Sequence, residues 1–243
     1  MMVNEHILGL LKTRNIFILL IDPDKQDDIS LHQVLKIADE SSVDLLLVGG
    51  SLVSSPLDQT LAFIKEHTKI PVLLFPGSLL QISPLADGIL LLSLISGRNP
   101  EYLIGNHVIA APLLKKSRLE IIPAGYMLIE NGHSTSVEYI SQTKPIPANK
   151  TDIAVATAMA GEMLGLQLIY LEAGSGAARI VPPAIVSEVK KNVTIPVLVG
   201  GGIKSPVDVK TLYNAGADGV VVGTAVENNY HILASMASVE RKR

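Results

Sequence analysis

Short apolar runs alternate with amphipathic stretches along the whole chain. The runs Ile16–Asp22, Asp44–Gly49, Val72–Phe75, Gly88–Leu92, one within Leu119–Glu130, Leu166–Glu172, Pro196–Val199 and Gly219–Val222 are rich in Val, Ile and Leu. Such unbroken apolar runs suit parallel strands that are covered on both faces. The segments Leu31–Glu40, Leu57–His67, Glu101–Lys115, Ile153–Leu164, Ala184–Lys191, Pro206–Asn214 and Val226–Val239 carry helical periodicity. Eight strand-then-helix units over 243 residues predict an α/β chain, a single (β/α)8 TIM-type barrel spanning 1–243. A doubly wound sheet is the alternative and needs fewer strands.

Two intervals break the rhythm. Between the third and fourth strands, Pro76-Gly-Ser-Leu-Leu-Gln-Ile-Ser-Pro-Leu-Ala-Asp87 has prolines bracketing seven residues, too few for a full barrel helix. We expect a reduced or missing helix there. It leaves either a plain short cover or an apolar slot lined by Leu79, Leu80, Ile82 and Leu85 for a long greasy ligand. The stretch from Glu130 to Asp152 follows the fifth strand, where barrel loops build active sites, and reads as a substrate lid or a plain surface loop.

Composition narrows the class. Hydrophobic residues make up 48% of the chain, aromatics only 4%, and Trp is absent, which leaves few side chains to stack on bases. A net charge of −3 also argues against a nucleic-acid partner. With no cysteine, disulfides, thiolate nucleophiles and cysteine-ligated metals are excluded. Met1–Asn15 shows no signal-peptide pattern, and no apolar run reaches a membrane span. The expectation is a soluble cytoplasmic protein.

Three glycine-rich loops follow late strands: Tyr170-Leu-Glu-Ala-Gly-Ser-Gly-Ala177, Gly200-Gly-Gly-Ile203 and Val222-Gly-Thr-Ala225. Glycine lets backbone N–H groups approach an anion, and the helix start that follows adds a favourable dipole. Three such loops on consecutive strands describe a phosphate cradle of the phosphate-binding barrel type. Glu172 precedes the first loop. A carboxylate beside a phosphate site is electrostatically unwelcome unless it has a task, and general base toward a substrate hydroxyl is the natural one. Tyr170 shares its face of the strand. Either residue is otherwise a satisfied structural polar group.

The first strand ends in Ile21-Asp-Pro-Asp-Lys25 and the second in Val48-Gly-Gly-Ser51. The two carboxylates Asp22 and Asp24 suit Mg²⁺, a hard cation that often sits on substrate phosphates, and the Ser51 hydroxyl from the neighbouring strand completes a metal or diphosphate site. The competing reading is capped turns. The six histidines are scattered without zinc-ligand spacing, and only His133, in the long loop, is worth watching. Lys150, Arg98 and Asn99 follow strands five and four, within reach of a diphosphate or simply solvated.

Together these segments resemble the geranylgeranylglyceryl phosphate synthase family, which includes bacterial heptaprenylglyceryl phosphate synthases. The resemblance rests on Leu20-Ile-Asp-Pro-Asp-Lys25, Val48-Gly-Gly-Ser51, Asn99-Pro100 with Gly105, Lys144-Pro-Ile-Pro147, the Tyr170–Ala177 run, Gly200-Gly-Gly-Ile203 and Gly223-Thr224. It implies prenyl transfer from a prenyl diphosphate, geranylgeranyl diphosphate foremost, to the C3 hydroxyl of sn-glycerol 1-phosphate. The product would be an ether-lipid precursor. It further implies Mg²⁺ on Asp22 and Ser51, and Glu172 as the catalytic base. Glycerol phosphate would lie on Tyr170, Leu171, Glu172, Ala173, Gly174, Ser175, Gly176, Gly201, Gly202, Gly223 and Thr224. Family members assemble as dimers and larger rings up to hexamers, so a homo-oligomer is expected, with transient membrane-surface contact in keeping with lipid substrates. Two positions depart from the family pattern: Leu20 stands where some members carry lysine, and Tyr102 where Trp is frequent. The rival readings are another phosphate-barrel isomerase or lyase working without metal, and a non-catalytic barrel that binds phosphate lipids.

Overall fold

The computed structural model describes residues 7, 9–11, 13–25 and 27–241. The expectation about a leader in Met1–Asn15 falls in large part outside the described residues. Eight strands close a parallel barrel in sequence order: β1 Ile16–Ile21, β2 Leu45–Val48, β3 Val72–Leu74, β4 Gly88–Leu94, β5 Glu120–Leu128, β6 Leu168–Glu172, β7 Val197–Gly200 and β8 Gly219–Val222. The barrel closes where β1 pairs with β8, Ile16 opposite Gly219 and Leu19 opposite Val222.

The apolar runs hide a period of two. Ile16, Ile18, Leu45, Leu47, Leu73 and Leu198 point into the barrel and form one buried cluster. Phe17, Leu19, Leu46, Val48, Val197 and Val199 point outward, into a larger cluster shared with the helices. Each strand is therefore apolar on both faces, as a parallel barrel strand must be.

At the N-terminal ends of the strands one device recurs. Asp44, Asp87 and Asp218 each stand immediately before an even-numbered strand. Each accepts a backbone N–H of the preceding strand, from Phe17 at 2.8 Å, Val72 at 2.8 Å and Val197 at 2.7 Å. Each is also paired with cations: Asp44 with Arg14 and Arg241, Asp87 with Lys65, and Asp218 with Lys190. This face of a barrel carries stability rather than chemistry.

The expected gap in the helical ring is present: no helix lies between β3 and β4. Helices flank the other strands at Asp28–Glu40, Leu57–His67, Asn106–Ser117, Thr151–Met163, Pro183–Asn192 and Pro206–Ala215. Two helical expectations change. Glu101–Lys115 begins with a π-helical turn, Glu101–Gly105, before the α-helix. Val226–Val239 is split into Thr224–Asn228 and Ile232–Ala237, because Asn229 leaves the first helix in an extended conformation. Among the described residues, no helix is long and apolar enough to cross a membrane.

Candidate active site

The C-terminal ends of the strands open into two adjoining cavities. The polar one encloses about 1860 Å³, open solvent included, and is floored by Asp22, Ser51, Tyr170 and Glu172. Its far side is built from Ser175, Gly176, Gly201, Gly202, Gly223 and Thr224, so most of the expected phosphate cradle converges in one place. Gly201 and Gly202 have φ of +82° and +69°, a left-handed pair that other residues rarely adopt. Side chains there would also collide: a Cβ on Gly201 would lie 2.3 Å from Glu172 Oε1, and one on Gly202 2.3 Å from the Arg179 carbonyl oxygen. Ser175 and Thr224 bring their hydroxyls within 3.3 Å of each other across the cradle.

Three expected cradle residues face elsewhere. Leu171 and Ala173 are buried in the cluster between barrel and helices, because residues on alternate sides of Glu172 must point outward. Gly174 spends its N–H on Glu172 Oε1, at 2.6 Å, and a Cβ there would meet Thr135 at 2.3 Å. None of the three lines the polar cavity.

Glu172 is 6% exposed. Burial pushes its carboxyl up to about 7, against opposing hydrogen bonds from the Gly174 N–H and the Tyr170 and Tyr126 hydroxyls. Gly200 makes room for this arrangement, since a Cβ there would sit 2.2 Å from the Tyr170 hydroxyl. The Tyr126 and Tyr170 phenols are themselves raised, by burial first and by the Glu172 charge second. Phe75, Tyr126 and Tyr170 form a ring trio with centroids 5.1 to 5.9 Å apart.

Asp22 and Ser51 line the polar cavity together. Asp22 accepts the Asp24 N–H on Oδ1 at 3.0 Å, and its other oxygen lies 3.0 Å from where a Gly50 Cβ would stand. Burial raises the Asp22 carboxyl above its usual range. Asp24, the other carboxylate of the turn, is committed elsewhere. It accepts Ser54 N and Oγ at 2.8 Å and Ser55 N at 2.7 Å, which locks the β1 loop to the β2 loop and holds its carboxyl well below the usual range. Among the described residues no group of three His, Asp or Glu gathers to cage a metal unaided. Asp22 and Ser51 fit a Mg²⁺ that completes its shell with water and substrate phosphate, the usual habit of that ion.

The second cavity, about 900 Å³ with its open mouth included, occupies the gap in the helical ring. Leu79, Ile82, Leu91, Tyr102, His107 and Leu114 line it, and Ser51, Phe75, Tyr126 and Val137 belong to both cavities. The slot expectation thus holds for Leu79 and Ile82. Leu80, 88% exposed, and Leu85, 44% exposed, turn to the outside and line neither. The long loop after β5 folds over the junction through a short helix, Ser136–Ser141, whose Val137 and Ile140 face the apolar cavity. The Asn99 amide donates to the Ser141 carbonyl at 2.7 Å and so anchors that helix instead of reaching into a cavity. Arg98, Lys150 and His133 line neither cavity.

The sequence did not single out Tyr126, which needs Glu172 beside it to gain meaning, nor Gln81 and Asn131. Asn131 donates to the Ala173 carbonyl at 2.5 Å and steadies the first glycine loop. An amide inside an otherwise polar loop carries no signal before the fold brings its partner close.

Comparison with known proteins agrees with this geometry. The PcrB family model matches residues 9–240. The chain is 51% identical over 233 residues to the geranylgeranylglyceryl phosphate synthase of Spirosoma linguale, covering 96% of this chain and 94% of that one. It is 40% identical to the protein of the same name from Methanothermobacter marburgensis, again over 96% and 94%. The crystal structure of (S)-3-O-geranylgeranylglyceryl phosphate synthase from Thermoplasma acidophilum, in complex with sn-glycerol-1-phosphate, superposes with a TM-score of 0.92. It is 34% identical, with 98% of each chain covered.

Proposed function

The chain belongs to the PcrB family, and on that premise we propose that it transfers a long prenyl group, geranylgeranyl foremost, from its diphosphate to the C3 hydroxyl of sn-glycerol 1-phosphate. One observation carries this reading: an apolar cavity and a glycine-lined polar cavity share a wall at Ser51, Phe75 and Tyr126, with the buried Glu172 in the polar one. A prenyl tail needs the first, a phosphate the second, and their reacting ends meet at the shared wall. Filling the apolar cavity with the tail contributes several kcal/mol at roughly 25 cal/mol per Å² of apolar surface removed from water.

The glycine loops fix the glycerol phosphate and so hold its free hydroxyl toward the junction, which converts a bimolecular encounter into an oriented one. As the allylic C–O bond breaks, the leaving diphosphate takes the electron pair, and the glycerol oxygen bonds to the allylic carbon. The Glu172 carboxylate takes the hydroxyl proton, while the Gly174 N–H on Oε1 and the Tyr170 and Tyr126 hydroxyls keep it in place. Phe75 and Tyr126 border the junction, where an electron-rich ring favours developing positive charge. Mg²⁺ held by Asp22 and Ser51 would supply charge neutralisation for the leaving diphosphate.

The π-helical turn and the helix after it expose Ile104, Val108, Ile109 and Leu113. A contiguous apolar helix face of this kind supports a homo-oligomer, a dimer or a hexamer built on it. The transferase reading is tested by following diphosphate release from geranylgeranyl diphosphate with Mg²⁺. Release that depends on sn-glycerol 1-phosphate supports it, and release indifferent to the acceptor contradicts it.

A further inference from the structure

Gln81 lies in the helix-free segment between β3 and β4 and is 2% exposed. Its side-chain amide pairs with both the backbone donor and the backbone acceptor of one residue, Gly50. Gln81 Nε2 donates to the Gly50 carbonyl at 2.8 Å, and Oε1 accepts the Gly50 N–H at 3.1 Å and the Gly77 N–H at 3.3 Å. The amide thereby imitates a strand partner for Gly50, satisfying donor and acceptor together.

The surrounding backbone is packed to contact. A Cβ on Gly77 would stand 2.3 Å from the Gly50 carbonyl oxygen and 2.9 Å from Ser51 Cα, and one on Gly49 2.2 Å from the Phe75 carbonyl oxygen. Gly50 thus has Gln81 on one side and the Asp22 carboxylate on the other, where its own Cβ would meet Oδ2 at 3.0 Å. Ser51 follows directly and lines both cavities. Leu79 and Ile82, on either side of Gln81 in sequence, wall the apolar cavity.

We infer that Gln81 is a positioning residue for the prenyl diphosphate: it ties the wall that holds the tail to the turn that places Ser51 beside Asp22. This inference rests on the transferase reading above. The glycerol phosphate cradle is built by β6, β7 and β8, on the other side of the cavity, and Gln81 touches none of it. Loss of the clasp therefore acts on one substrate and spares the other, a split that general destabilisation would not produce.

The experiment compares wild type, Gln81→Met and Gln81→Glu. Calorimetry reads the binding of geranylgeranyl thiolodiphosphate with Mg²⁺ and, separately, of sn-glycerol 1-phosphate, with thermal midpoints measured alongside. Gln81→Met removes both halves of the clasp at similar volume. It should weaken the thiolodiphosphate about tenfold, the scale of a lost buried hydrogen bond, and leave glycerol phosphate within about twofold. Gln81→Glu keeps the acceptor but sets a carboxylate oxygen against the Gly50 carbonyl, so its loss should have the same sign and be at least as large, and it carries the test where Gln81→Met gives no cooperative unfolding. Unchanged thiolodiphosphate binding, or equal weakening of both ligands, overturns the inference. Wild type that binds glycerol phosphate yet ignores the thiolodiphosphate would overturn the transferase reading instead.

Discussion

The backbone N–H of Gly174 reaches back 2.6 Å to Oε1 of Glu172, so the first glycine loop orients the base that the same loop delivers to the cavity. The Tyr170 and Tyr126 hydroxyls hydrogen-bond the same carboxylate, so loop and barrel wall orient it together. The Gly174 bond also explains why a residue expected to hold phosphate holds a carboxylate.

Glu172→Gln preserves that contact, because the amide oxygen still accepts from Gly174. The variant should bind sn-glycerol 1-phosphate close to normally while its turnover falls about 10²- to 10⁴-fold, the usual contribution of a general base. Calorimetry and single-turnover transfer check the two halves. Turnover near that of wild type would remove Glu172 from the proton transfer.

Burial holds the Glu172 carboxyl near about 7, so at lower pH the free enzyme carries a protonated, inactive base. kcat/KM should rise with pH, about tenfold per unit on the acid side, and level off above the bend. Stability runs the other way. A raised folded pKa means the native state holds the proton more tightly than the unfolded chain. This contribution is fully present below about 4.5 and is lost as pH rises through about 7. Glu172→Gln should flatten that part of the stability profile, as read by denaturant midpoints between pH 4 and pH 8, a range chosen to bracket both values.

Leu79 walls the apolar cavity and Leu80 faces outward. Leu79→Trp should shift the preferred substrate toward shorter prenyl diphosphates, and Leu80→Trp should not. Competition between prenyl diphosphates of graded length, read by mass spectrometry of the products, separates the two. Equal behaviour of both variants would contradict this assignment of the tail cavity.

Much of the barrel was legible because parallel strands buried on both faces must be largely apolar, and β1 to β8 all are, with Ser93, Glu120 and Glu172 the polar exceptions. The gap after β3 was legible because Pro76 and Pro84 leave too little chain for a helix. The cradle glycines stood out for the same local reason: left-handed backbone and close approach select one residue type. What was not legible depends on partners distant in sequence. Asp24 resembled a metal ligand until Ser54 and Ser55 came into reach. Gln81 means nothing without Gly50, nor Tyr126 without Glu172. Leu80 was assigned to the slot because a helix-free segment offers no periodicity from which to read its facing. The break at Asn229 lacked a proline or glycine to mark it.

Asp218 secures the bottom of the barrel through Val197 N–H at 2.7 Å and Lys190 at 2.6 Å. Asp218→Ala leaves both partners short of an acceptor and should lower stability by about 1–3 kcal/mol. KM values for both substrates should stay unchanged, since this end of the barrel is remote from the cavities. Chemical denaturation with parallel kinetics checks it; a changed KM with intact stability would contradict it.

The most direct measurement follows label from radioactive sn-glycerol 1-phosphate into an organic-extractable product, with prenyl diphosphates of increasing length, with Mg²⁺ and with the metal chelated away. The two-cavity site predicts transfer with a long prenyl diphosphate, dependent on Mg²⁺. No transfer at any length, with glycerol phosphate still bound, would contradict it and leave a phosphate-binding barrel without this chemistry.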